Sequence, residues 1–167
     1  GLLCANCAAT IMIFMLARRI LDDIAGIVAG AGYAMLSLSP TVLGTSAHAT
    51  QLIVPFALGG TMLLLRALES GRLWLVSFSG FLFGIAFILK QHAIFFVVFA
   101  VLYYIAHQPK RCQQTTWERL IIEVGLFTGA AALPFLLSCA ILYATGVFDR
   151  YWFWTFTYAH EYARVLP

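Results

Sequence analysis

The chain has 167 residues, 62% of them hydrophobic and 15% aromatic, with 10% charged and a formal net charge of +3. A soluble domain is excluded, because it would need polar faces at helical or strand spacing, whereas residues 24–65, 73–89 and 124–148 contain no Asp, Glu, Lys or Arg. The small, scattered positive charge forms no basic face with interleaved aromatics and gives no case for nucleic acid as a partner.

In chain order the apolar runs are 2–17, 24–43, 51–68, 73–89, 93–106 and 120–147. Each long run can cross a hydrocarbon core of about 30 Å at about 1.5 Å per residue. The predicted fold is therefore all-α: a polytopic transmembrane helical bundle of about six spans, residues 1–147, followed by an aromatic interfacial segment, 148–167. The first run is short and is followed, not preceded, by the basic pair Arg18-Arg19, which speaks against a signal peptide; the expectation is a first span truncated at its start. Within that run Cys4 and Cys7 make a C-x-x-C, but no second ligand pair accompanies them, and Cys112 and Cys139 stand alone. No metal site and no cofactor are expected, and the thiols are read as small buried hydrophobes. Gly and Ala in 25–34 and 125–132 should let helices approach closely, Arg66 should snorkel, and Pro134 should kink the last long run.

Alternating connections put loops 18–23, 66–72 and 107–119 on one side, and loops 44–50, 90–92 and the tail from 148 on the other. The first side holds Arg18, Arg19, Arg66, Arg72, Lys110, Arg111 and Arg119, seven of the ten basic residues, and the positive-inside bias makes it cytoplasmic. Lys90, Arg150 and Arg164 are left for the outer face, with His48, His92 and His160.

Polar residues that topology does not account for collect on that outer face. Lys90-Gln91-His92 joins two short apolar runs, so the hairpin tip is drawn toward the membrane, where a cation is costly unless it snorkels or meets an anion. The tip contains no Gly or Pro, so turn chemistry does not explain it. The loop 44–50 brings His48, and Gln51 follows it; both donate and accept hydrogen bonds. Asp149, Arg150, His160 and Glu161 lie in the tail, whose aromatics suit an interfacial belt and also a sugar face or a polyprenyl chain. The two carboxylates are the outer-side candidates for a base.

The order of these parts, an outer polar loop leading into QLIVPFALGGTMLLLRAL, a short basic turn, then GFLFGIAFILKQ, resembles the middle of the polytopic GT-C glycosyltransferases. The similarity is to the bacterial group of protein mannosyltransferases, aminoarabinose transferases and rhizobial core transferases. It covers roughly residues 10–106, and its most specific piece is the G-x-x-x-G-x-A-x-x-x-K pattern from Gly80 to Lys90. The resemblance implies transfer of a sugar from a polyprenyl-phosphate carrier to a lipid, glycan or protein acceptor outside a bacterial inner membrane. Lys90, Gln91 and His92, with His48 and Gln51 nearby, would then meet the donor phosphate or sugar. Such enzymes often carry an acidic residue where this chain has Gln51, and their catalytic carboxylate lies in a first outer loop with no counterpart before Leu2. The resemblance therefore leaves the catalytic residues unassigned and places the base outside these residues. A transporter or flippase, with the same polar groups lining a substrate path, is the first alternative; it would show paired broken helices, and only Pro134 marks a break, while a non-catalytic membrane assembly subunit, its polar residues serving packing, is a third reading.

Overall fold

The structure, a computed structural model, describes residues 2–37, 49–107 and 117–158. Its helices are α1 (Leu2–Ile20), α2 (Asp23–Ser37), α3 (Ala49–Ser70), α4 (Leu73–Leu89), α5 (Ile94–Ala106), α6 (Trp117–Ala144) and the short α7 (Phe148–Trp152). A single 3-10 turn, Gln91–Ala93, joins α4 to α5, and a π turn, Phe153–Thr157, follows α7. Among the described residues there is no strand. The all-α membrane architecture read from composition is what the chain adopts.

Local chemistry sets the helix ends. Asp22 Oδ1 accepts from the Ala25 amide at 2.7 Å and caps the start of α2. Gly71, at φ 65°, reverses the chain after α3, and Gly146, at φ 69°, does so after α6; both positions need a left-handed backbone that glycine adopts without strain. Among the described residues, three segments are long and apolar enough to cross a membrane: Leu3–Ile20, Gln51–Ser70 and Trp117–Ala144. The other apolar helices are shorter, α2 with 15 residues, α4 with 17 and α5 with 13, about 22, 26 and 20 Å of rise.

α4 is the central element, packed between α3 and α6, while α1 packs on α2 and α3. The buried core includes Leu64, Ala67, Val76, Phe83, Ala86 and Phe127. Inside it, Ser79 Oγ donates to the Gly60 carbonyl at 2.7 Å, a polar tie between α3 and α4 where water does not compete. α4 and α6 run parallel, Gly80 against the Phe127 backbone and Gly84 against the Ala131 backbone; a Cβ at either glycine would fall inside contact distance of a carbonyl oxygen. The G-x-x-x-G of the sequence is thus the surface on which α6 sits.

The small-residue expectation holds for α2, where Gly26 and Gly30 abut Phe14 of α1. On α6 it is divided: Ala131 meets Gly84, while Gly125 and Gly129 face open space. α6 continues through Pro134, which is buried with its ring against Gly84. Cys4 and Cys7 are exposed on α1, so the reading of them as buried is corrected. Large apolar side chains point outward around the bundle, among them Val28, Phe95, Phe99, Leu136 and Ile141, as lipid contact requires.

One end of the bundle is fastened by charge. Arg18 pairs with Asp23 and Arg19 with Glu69, while Arg119 binds Glu123 at 2.9 Å and donates to the Gly71 carbonyl at 3.3 Å. These contacts tie α1 to α2 and α3, and the α3–α4 turn to α6. The opposite end, where α4 finishes, has no ion pair among the described residues.

Candidate functional site

At that opposite end α4 terminates on Lys90, which turns to extended backbone, φ −158° and ψ 127°, while its amide still donates to Ala86 O at 3.1 Å. The Ala93 amide then donates to Lys90 O at 2.9 Å and closes the 3-10 turn. Two consecutive backbone bonds therefore fix the tip without Gly or Pro. Ala93 is buried, and Gln91 and His92 are exposed.

The tip forms one wall of a cleft of about 410 Å³, lined by Phe87, Ile88, Leu89, Lys90, Gln91 and His92, with Phe135, Tyr151 and Thr155 opposite. Phe87 and Phe135 meet edge to face with centroids 5.7 Å apart and make its apolar wall. α6 can carry Phe135 there because Gly84 and Gly80, one and two turns below Phe87, let the two helices close up. Lys90 is half-buried, and no hydrogen bond or ion pair ties its ammonium to a described residue. Gln91 Nε2 donates to Thr155 O at 3.3 Å and fastens the segment after α6 to the tip. The cleft is apolar on one side and bears a cation and neutral donors on the other, which suits an amphiphile with an anionic head.

Of the residues expected from sequence, Lys90, Gln91 and His92 come together here. Gln51 does not line the cleft and is buried in the first turns of α3; the antiparallel register, with Gly60 against Ser79 and Phe83, puts it at the level of Lys90. Asp149 and Arg150 are exposed on α7. Asp149 lines a second cleft of about 350 Å³ with Phe148, Trp152, Phe153 and Thr157, on another side of the segment. His48, His160 and Glu161 lie outside the described residues. Sequence reasoning missed Phe87, Phe135, Tyr151 and Thr155 as lining residues. The four-residue spacing of Tyr151 and Thr155 was the available signal, but only the packed chain shows which face of that segment meets the tip.

Fold and cleft together define a polytopic all-α membrane protein with an amphipathic, cation-bearing site at one end of its bundle. Residues 2–137 match the dolichyl-phosphate-mannose-protein mannosyltransferase family, and the chain belongs to that family of GT-C glycosyltransferases. The match runs past the resemblance read over 10–106, taking in α1 and most of α6. No curated protein and no solved structure matches the chain.

Proposed function

We propose that this chain belongs to an enzyme that moves a sugar from a polyprenyl-phosphate carrier to an envelope acceptor on the outer side of a bacterial inner membrane. The observation that carries the reading is the Lys90 ammonium, with no partner among the described residues, at the rim of an amphipathic cleft. As the bond from the sugar anomeric carbon to the phosphate oxygen breaks, negative charge grows on the phosphate. A fixed cation in a partly desolvated site stabilises that charge more in the transition state than in the ground state. His92 can donate to the same phosphate or to a sugar hydroxyl, and the wall of Phe87 and Phe135 can take the first isoprene units. The acceptor's nucleophile attacks the face opposite the departing phosphate, inverting the anomeric centre, and its proton passes to a base that is not among these cleft residues. Lipid A, core oligosaccharide, protein and other envelope glycans are the acceptor classes. The segment from 148 lies at the membrane surface in this reading, its aromatic rings at headgroup level.

Membranes containing the full-length protein, supplied with polyprenyl-phosphate sugars, should release polyprenyl phosphate only when an acceptor is added. Release independent of acceptor, or movement of the intact lipid across the membrane without release, would instead support hydrolysis or flipping.

A further inference from the structure

The cleft has two chemically different halves. The α4–α5 half presents Lys90, Gln91 and His92, all able to donate and one of them a cation. The other half, beyond the family match at 2–137, presents Tyr151 and Thr155, both half-buried and both uncharged. The charged groups next to Tyr151 do not join it: Asp149 belongs to the second cleft, and Arg150 lines neither. Four residues apart, Tyr151 and Thr155 share one face of the α7 and π-turn segment. The Gln91 bond to Thr155 O holds that face toward Lys90 and leaves the Thr155 hydroxyl free of the backbone contact.

A phosphate has no use for a neutral aromatic ring, whereas a sugar ring has an apolar face that stacks on one and hydroxyls that bond to phenol and threonine oxygens. The volume agrees: about 410 Å³ is near the low end of the roughly 300–1,000 Å³ of small-molecule sites, enough for a phosphate, one sugar ring and the start of the prenyl chain against Phe87 and Phe135, with the rest of the chain in lipid. Resting on the reading above, we propose that Tyr151 and Thr155 recognise the sugar of the donor, so that the segment after α6 sets sugar selectivity while the α4–α5 tip binds the phosphate common to all such donors. Tyr151 supplies the ring face and Thr155 the hydroxyl, and neither takes part in proton transfer.

The test measures binding of sugar-free polyprenyl phosphate and of a panel of polyprenyl-phosphate hexoses and pentoses to the full-length protein in nanodiscs. Wild type should prefer one sugar lipid over the sugar-free lipid. Tyr151→Ala should weaken that preferred lipid about tenfold and leave the sugar-free lipid unchanged, and Tyr151→Phe, which keeps the ring, should recover most of the loss. Thr155→Val should shift the order of preference within the panel. Lys90→Met should weaken every lipid, sugar-free included. Equal loss of both lipids in Tyr151→Ala, or a wild type that does not distinguish sugar lipid from sugar-free lipid, overturns the selectivity proposal while lipid-phosphate binding stands. A wild type that binds neither lipid overturns both.

Discussion

Gly84→Ala is a one-methyl change whose cost can be worked from the helix contact. The added carbon would land on the Ala131 carbonyl oxygen and lie 3.0 Å from Pro134 Cδ. Neither obstacle can swing aside, since one is backbone and the other a ring within the buried helix face. α4 and α6 must therefore separate by about 1 Å, and a gap of that size forfeits a quarter to a half of each contact worth about 0.1–0.2 kcal/mol. Summed over a helix interface, the loss is about 1–3 kcal/mol, the usual range for overpacking. It is opposed by a gain of about 1 kcal/mol in helix propensity. Gly129→Ala carries the same propensity gain and meets nothing within 4 Å, so it isolates the clash. Unfolding midpoints of the full-length protein in one detergent should fall for Gly84→Ala and stay level or rise for Gly129→Ala. Gly80→Ala should behave like Gly84→Ala, and the double variant should lose less than the sum, because one separation relieves both clashes. Gly84→Ala melting at or above Gly129→Ala would refute the close α4–α6 seating and the placement of Phe135 beside Phe87 that depends on it.

Three further outcomes follow from single contacts. Ser79→Ala removes the buried bond to Gly60 O and should cost about 1 kcal/mol in the same melt, with donor binding unchanged. Arg119→Met strips the cation from Glu123; with Arg119 51% and Glu123 4% exposed, the cost should lie between those of a surface and a buried pair, about 1–3 kcal/mol. Adding Glu123→Gln to Arg119→Met should restore part of that stability, and no recovery would show that the loss came from the Gly71 contact instead. In a background with the native cysteines replaced, His92→Cys should react with a membrane-impermeant maleimide from outside the cell and Arg72→Cys should not; the reverse pattern would invert the topology.

The helices were legible because charge-free runs of this length leave the backbone one way to satisfy its hydrogen bonds in lipid. The run at 51–68 became α3 over Ala49–Ser70, and the run at 120–147 became α6 over Trp117–Ala144. The polar tip at Lys90 stood out for the same reason, since a cation among apolar residues contradicts its surroundings. Pairing between helices was not legible. Gly80 and Gly84 carry the closest approach, yet Gly125 and Gly129 show the same spacing and face open space, and nothing in a single sequence distinguishes them. The tail was read as an interfacial belt, and its aromatic density hid the fact that Tyr151 and Thr155 turn toward Lys90 while Asp149 and Trp152 turn elsewhere. That division depends on the contact of Gln91 with Thr155 across 64 residues, which is a tertiary fact.

The central claim is that Lys90 meets a lipid phosphate. Binding of sugar-free polyprenyl phosphate to the full-length protein, compared among wild type, Lys90→Arg and Lys90→Met, tests it most directly. Loss of the cation should weaken binding about tenfold or more, as expected for one charge-assisted contact in a partly desolvated site, and arginine should retain most of it. Wild-type affinity in Lys90→Met, with the protein folded and melting normally, would contradict the account.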